Sequence, residues 1–215
     1  DLSGRDLTTF VLANTNLAGC KLTGTRLPAD LSSCNLSGTD LSGRDLTTFV
    51  LANTNLANCD LSSCNLENCD LSTTHLSGCN LFGSNVAGTR LPLDLSRCNL
   101  SGIDLSSRDL TGFNLSDANL SNANLSNSNL SETNLSNSNV SNIDITACLN
   151  IQTARLNGAR GMPAGLQLKC LACCALYDGV NLRVSRNNRR EGGGVKDTFV
   201  RCVTITKTIL FSPRR

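Results

Sequence analysis

The side chains with reactive or metal-binding potential in this 215-residue sequence are twelve cysteines and a single histidine. Seven cysteines, Cys20, Cys34, Cys59, Cys64, Cys69, Cys79 and Cys98, fall in phase with a five-residue rhythm. The other five, Cys148, Cys170, Cys173, Cys174 and Cys202, lie toward the C-terminus, where "CLACC" contains a C-x-x-C pair. A zinc centre wants a second pair or a histidine, and only the scattered Cys148 and Cys202 are available. These five are therefore the candidate ligands, but the expectation is core thiols or one disulfide, with no metal and no cofactor. His75 takes a position that is elsewhere Asn or Asp, which reads as a solvated surface residue rather than a general base. No insertion long enough to form a pocket accompanies the abundant Asp, so no enzyme is expected.

Charge divides the chain. Residues 1–147 carry 14 Asp/Glu against 7 Lys/Arg, whereas residues 148–215 carry 3 against 12. The basic part includes "RVSRNNRREGGGVK" and a terminal "SPRR", and offers Arg183, Arg186, Arg189, Arg190, Lys196, Arg214 and Arg215 as interaction residues. No aromatics interleave with these charges to stack on bases, so nucleic acid is not the expected partner. No apolar run approaches the length of a membrane-spanning helix. The first residue already lies inside the repeat and is not Met, so the start reads as a mature or truncated end.

The elements that position these groups follow from spacing. Counting from Leu2 to Ile145, 30 central positions recur, 27 of them Leu, at five-residue steps broken by two four-residue steps. The residue before the centre is Asn or Asp in 24 of the 30 units, and the one two before is usually small. Small, polar, Leu is the in, out, in alternation of a very short strand. Of the two remaining residues, the second is Gly or Asn in 18 of 30 units, types that accept positive φ and tight turns. Strands this short need neighbours, so successive units must stack into a coil whose hydrogen bonds run from turn to turn. The four-residue steps are "RLPADL" at Arg26 to Leu31 and "RLPLDL" at Arg90 to Leu95, each with a proline suited to a corner.

Segments such as "CNLSGTDLSGRDL" and "ANLSNANLSNSNL" resemble the pentapeptide-repeat proteins over roughly the first 147 residues. The resemblance implies an all-β, right-handed quadrilateral parallel β-helix with four units per coil. Residues 1–147 then form the solenoid, a narrow rod of about 36 Å at the inter-strand spacing. Residues 148–215 form an irregular last coil and a small basic α/β cap, with a helix around 166–176 and strands at 180–184 and 198–211. The eighteen residues "DLSGRDLTTFVLANTNLA" occur at 1–18 and again at 40–57. With four units per coil this offset of 39 is eight sides, two whole coils, which places Phe10 and Phe49 in one inward column with Ala29 between. A second duplication, 24–57 against 88–121, spans thirteen sides and turns the copy by a quarter.

On these assignments Cys59, Cys79 and Cys98 stack on one side of three consecutive coils. Parallel Cβ vectors disfavour disulfides there, so buried thiols acting as small fillers are expected, which favours a reducing intracellular or organellar compartment. Eight N-x-S sequons, at Asn35, Asn99, Asn114, Asn119, Asn124, Asn129, Asn134 and Asn139, arise from the repeat itself and argue little for secretion. Arg5, Arg44 and Arg108 occupy the small inward position, where an unpaired guanidinium is expensive. Each is expected at a locally distorted corner, with Phe10, Phe49 and Phe113 of the next unit filling the interior.

The functional expectation is a non-enzymatic scaffold or protein-binding accessory subunit of a larger assembly, docking through the rod sides and the basic C-terminal module. The resemblance also implies an alternative, since some relatives protect topoisomerases by imitating DNA. Here the outward Asp spread over three sides, Asp1, Asp40 and Asp60, then Asp6, Asp45, Asp104 and Asp144, then Asp30, Asp70 and Asp109, diluted by seven Lys/Arg. Binding of nucleic acid or anionic lipid through the basic tail is the remaining alternative.

Overall fold

The structure, a computed structural model, describes residues 1–162 apart from Thr146. The predicted cap, with Cys170, Cys173, Cys174 and Cys202 and the seven basic interaction residues, lies outside the described residues.

Most units close on themselves through one hydrogen bond: the amide three residues after the central Leu donates back to its carbonyl, as in Arg5 N to Leu2 O at 3.1 Å and Cys59 N to Leu56 O at 3.0 Å. The second corner residue takes a positive φ, 58° at Asn58 and 59° at Asn122, which is the requirement of a type II turn. Not only Gly and Asn accept it: Ser63, Arg97, Asp117 and Glu132 do so as well, whereas the β-branched Thr9, Thr48 and Thr73 do not. A side chain held in this region carries a steric cost that Gly avoids. Replacing the exposed Glu132, at φ 56°, by Gly is expected to stabilise the protein by about 1 kcal/mol in urea unfolding. The reverse exchange at Gly88, φ 66°, adds a Cβ 2.1 Å from the Asn68 side-chain oxygen and is expected to destabilise.

Between coils the outward residues pair in parallel at a separation of twenty, as in Asp40 with Asp60 and Asn65 with Asn85. The separation falls to nineteen where a four-residue unit intervenes, as in Asn16 with Asn35 and Asn80 with Asn99. Four sides make one turn, and the chain is a right-handed quadrilateral β-helix. Face A carries Lys21, Asp40, Asp60, Asn80, Asn99, Asn119 and Asn139; face B carries Asp6, Arg26, Asp45, Asn65, Asn85, Asp104 and Asn124. Face C carries Asp30, Val50, Asp70, Arg90, Asp109 and Asn129, and face D carries Asn16, Asn35, Asn55, His75, Asp94, Asn114 and Asn134. Leu22, Leu31, Leu61, Leu81 and Leu100 have no exposed surface, so the interior is a closed column of Leu. The eighteen-residue duplication sits in register two coils apart, with Val50 N bonded to Ala29 O beneath it.

Coil pairing continues past residue 147. Leu149, Arg155 and Arg160 bridge to Asn129, Asn134 and Asn139. The wider step from 149 to 155 is taken up by a 3-10 turn, Ile151–Thr153, whose Ile151 is buried.

Inter-coil bonding is broken most extensively at two corners; the amides of Leu12 and Asp30, Leu51 and Asp70, and Leu76 and Asp94 also lack inter-coil bonds. Above "RLPADL", the amides of Leu22, Gly24, Leu27, Asp40 and Asp45 lack the inter-coil bonds that their equivalents make elsewhere. Above "RLPLDL", the same five positions, Val86, Gly88, Leu91, Asp104 and Asp109, lack them too. The physical cause is a mismatch of path length, because a four-residue side lies under a five-residue one and the edges cannot be kept parallel around that corner. The opposite sides remain bridged, at Asp30 with Val50 and Asp94 with Asn114.

Candidate functional site

The inward small position does more than fill space. Its hydroxyl or thiol donates to a central Leu carbonyl, in many units that of the coil beneath, as in Thr54 to Leu31 O at 2.8 Å, Ser84 to Leu61 O at 2.7 Å, Cys79 to Leu56 O at 2.8 Å and Cys98 to Leu76 O at 3.0 Å, and in others that of its own unit, as in Thr39 to Leu36 O at 2.7 Å. Cys thus stands in for Thr and Ser, and the expectation of a merely apolar filler is corrected to that of a small donor. Cys20, Cys34, Cys59, Cys64, Cys69, Cys79 and Cys98 are not in disulfides. Burial pushes the Cys79 thiol well above its ordinary value, with neighbouring Cys98 and Cys59 adding to it. Burial likewise pushes Cys98 up to about 11. Thiolates are the reactive form, so Cys59, Cys79 and Cys98 are expected to resist iodoacetamide at pH 8 in the folded protein and to alkylate once it is unfolded in guanidinium. Peptide mapping of the alkylated sites checks this.

The arginines prove to be a long-reach version of the same bond. Arg44 donates through Nη2 to Leu22 O at 2.6 Å and through Nη1 to Thr25 O at 2.8 Å. Arg108 donates through Nη1 to Thr89 O at 2.7 Å and through Nη2 to Val86 O. Both side chains are half-buried and span the interrupted corners, where a short side chain would fall short of the widened gap. The expected distorted corner is therefore where Arg44 and Arg108 lie, but the guanidinium is held rather than turned out. Arg5, in the first coil, is exposed. The Phe part of the expectation is corrected: Phe49 and Phe113 are only half-buried against the core, and Phe10 is 58% exposed. The buried hydrophobic residues at this position are no larger than Ile103 and Ile143, and the bulkier ring sits at the rim.

Outside, the polar residues are engaged with one another. Asn80 Nδ2 donates to Asp60 at 3.0 Å, Asn99 to Asn80 at 2.9 Å, Asn119 to Asn99 at 3.1 Å and Asn139 to Asn119 at 3.0 Å, a ladder on face A ending on a carboxylate. On face D, Asn134 donates to Asn114 and Asn114 to Asp94. Most outward Asp also accept from the residue two ahead, which fastens the corner. Hydroxyl and amide donors of Ser42 hold Asp40 below its ordinary carboxylate value, Ser106 does so for Asp104, and Thr111 for Asp109. Such groups add stability above the ordinary value, and the gain is lost as pH falls through the lowered ones. Arg26 pairs with Asp6 at 2.9 Å and Arg90 with Asp70 at 3.0 Å, both exposed, so these pairs fix side-chain direction more than stability.

No constellation for catalysis forms among the described residues. His75 is exposed on face D, opposite Asn55, with no nucleophile beside it. Among the described residues no group of three or more His, Cys, Asp or Glu is placed to hold a metal. Cys148, the one candidate ligand described, is half-buried and its thiol donates to Leu125 O at 2.8 Å. No helix of the described residues is long and apolar enough to cross a membrane.

One-residue sides, type II corners and four sides per turn define a solenoid built on a five-residue unit. The family model for pentapeptide repeats matches eight copies, at residues 29–68, 59–92, 98–137 and 114–149. The chain belongs to the pentapeptide-repeat family. Comparison with curated proteins finds no match. Among solved structures it is similar to HetL, a pentapeptide-repeat protein involved in heterocyst differentiation regulation from the cyanobacterium Nostoc, at 25% identity over 77% of this chain and 92% of that one, TM-score 0.33. It is also similar to QnrB1, a plasmid-mediated fluoroquinolone resistance protein, at 15% identity over 79% and 94%, TM-score 0.46. A third is Rfr23 from the cyanobacterium Cyanothece, at 22% identity over 72% and 90%, TM-score 0.21.

Proposed function

We propose that the chain is a non-catalytic, protein-binding scaffold or accessory subunit of a larger assembly. The observation that supports this is the state of the four faces. Their side chains are tied into ladders and corners, so a partner meets a pre-ordered surface with little conformational entropy left to lose. The interior offers no competing site, since no buried side-chain polar atom among the described residues lacks a partner. In this reading residues 1–147 are the binding rod. Residues 148–215 carry the docking charges, Arg183, Arg186, Arg189, Arg190, Lys196, Arg214 and Arg215, which suit an acidic partner surface.

Purification of the full chain from its native source tests the reading. A stoichiometric partner protein that is released by raised salt is expected. A monomer without partners at low salt would contradict it. DNA imitation is less favoured, because Arg26 and Arg90 neutralise Asp6 and Asp70 on faces B and C and the remaining carboxylates are spread around the rod.

A further inference from the structure

The interrupted corner between the coil containing Asn85 and the coil containing Asp104 opens on face B as a cavity of about 500 Å³. Ser84, Asn85, Val86, Ala87, Gly88 and Thr89 form its lower wall, and Asp104, Ser106 and Arg108 its upper wall. The amides of Val86 and Gly88 have no hydrogen-bond partner among the described residues, nor does that of Asp104. The carbonyls of Ser84, Asp104 and Ser106 receive no bond either. In a regular pair of coils these six groups satisfy each other, as Leu66 N does with Asn85 O and Asn85 N with Cys64 O.

The unpaired groups have the spacing of a strand edge. Donors sit at positions i and i+2 on the lower wall, acceptors at i and i+2 on the upper one, so the slot presents two facing β-edges. An unpaired edge is a template for another chain. Three residues of extended polypeptide, roughly 10 Å long, are enough to run the length of one face. Running parallel to the coils, such a segment would accept from Val86 and Gly88 and donate to Ser84 below, while accepting from Asp104 and donating to its carbonyl above. A small molecule with one or two polar groups leaves most of this array unpaired. A side-chain charge also has a counterpart, because the Asp104 carboxylate stands exposed at the rim while the Arg108 guanidinium is taken up by the carbonyls of Thr89 and Val86.

We propose that this slot binds a short extended segment of a partner protein, inserted as an additional parallel strand between the two coils, with a lysine or arginine beside Asp104. The inference rests on the protein-binding reading above and names the partner's chemistry at one place on the rod.

Random heptapeptides displayed on phage, selected on the immobilised full chain, provide the probe. Selection is expected to enrich peptides with a basic residue flanked by small or β-branched ones. A photo-reactive version of a selected peptide is expected to crosslink to residues 84–89 and 104–106. Ala87→Trp, at an exposed position on the lower wall, should weaken binding at least tenfold, and Ser106→Trp serves the same purpose if that variant does not fold. Asp104→Lys should weaken basic peptides and favour their Lys→Glu counterparts. No enrichment, equal binding by the Trp variants, or crosslinks confined to other residues would overturn the proposal. A native partner that is retained by Ala87→Trp would overturn the slot while leaving the scaffold reading in place. Peptide binding at the slot by a protein that has no partner in its native source would do the opposite.

Discussion

Arg108→Met is expected to lower stability by about 2–3 kcal/mol, the cost of removing charge-assisted hydrogen bonds from two carbonyls at a half-buried site. Methionine keeps the apolar stem over the corner, so the loss reports the guanidinium. The carbonyls of Thr89 and Val86 then face a gap in which the neighbouring coil's amides do not reach them. Lysine should recover only part of the loss, because one ammonium cannot match the planar fork that holds both acceptors. Arg44→Met should behave alike, since its contacts with Thr25 and Leu22 repeat the same geometry. The two corners share no contacts, so the double variant should lose the sum of the two effects. Urea unfolding of the four proteins measures this, and a loss under about 0.5 kcal/mol for either single variant would mean that the arginines hold nothing.

Leu61→Ala carries the other large expectation, a loss of about 2–5 kcal/mol. Leu61 is fully buried on face A between Leu41 and Leu81, each fully or almost fully buried, in adjoining coils that are bridged at Asp40, Asp60 and Asn80. Alanine there opens a cavity that the column cannot collapse to fill, because backbone hydrogen bonds fix the coil spacing on both sides. Half-buried Leu2 and Leu7 in the first coil have less to lose, and their alanine variants should cost distinctly less. A solenoid is stabilised by contacts between neighbouring repeats, so a defect in its middle can also split unfolding into two steps. Thermal unfolding followed by circular dichroism would show that split, while the urea midpoint gives the loss itself.

The regular part of this molecule was legible because each unit carries its whole instruction locally. Leu at the centre, a small residue two before and Gly or Asn at the corner specify in, out and turn within five residues. The eight-side meaning of the 39-residue duplication followed once four sides per coil were assumed. The two corners were not legible, because what matters there lies about nineteen residues away in the coil beneath. Arg44 looks misplaced beside Asp45 and makes sense only over Thr25 and Leu22. A signal was present: both coil-spanning arginines, Arg44 and Arg108, lie nineteen residues after the Thr of a "GTRLP" run. Size alone makes the thiols fillers, and their donor role depends on Leu carbonyls about twenty residues away. Phase alone points Phe49 and Phe113 inward, and says nothing of ring size, which leaves both half-buried against the core.

Residue-resolved amide hydrogen exchange on the full chain is the most direct test of the account. A closed four-sided stack, broken most extensively at two corners, predicts slow exchange at Leu56, Asn65, Leu66 and Asn119, whose amides bond to the adjoining coils. It predicts fast exchange at Val86, Gly88, Leu91, Asp104 and Asp109, and exchange faster than their neighbours at Leu22, Gly24, Leu27, Asp40 and Asp45. Uniform protection across these ten positions would contradict it, because the ladder would then be continuous and neither the arginine bridges nor the slot would exist.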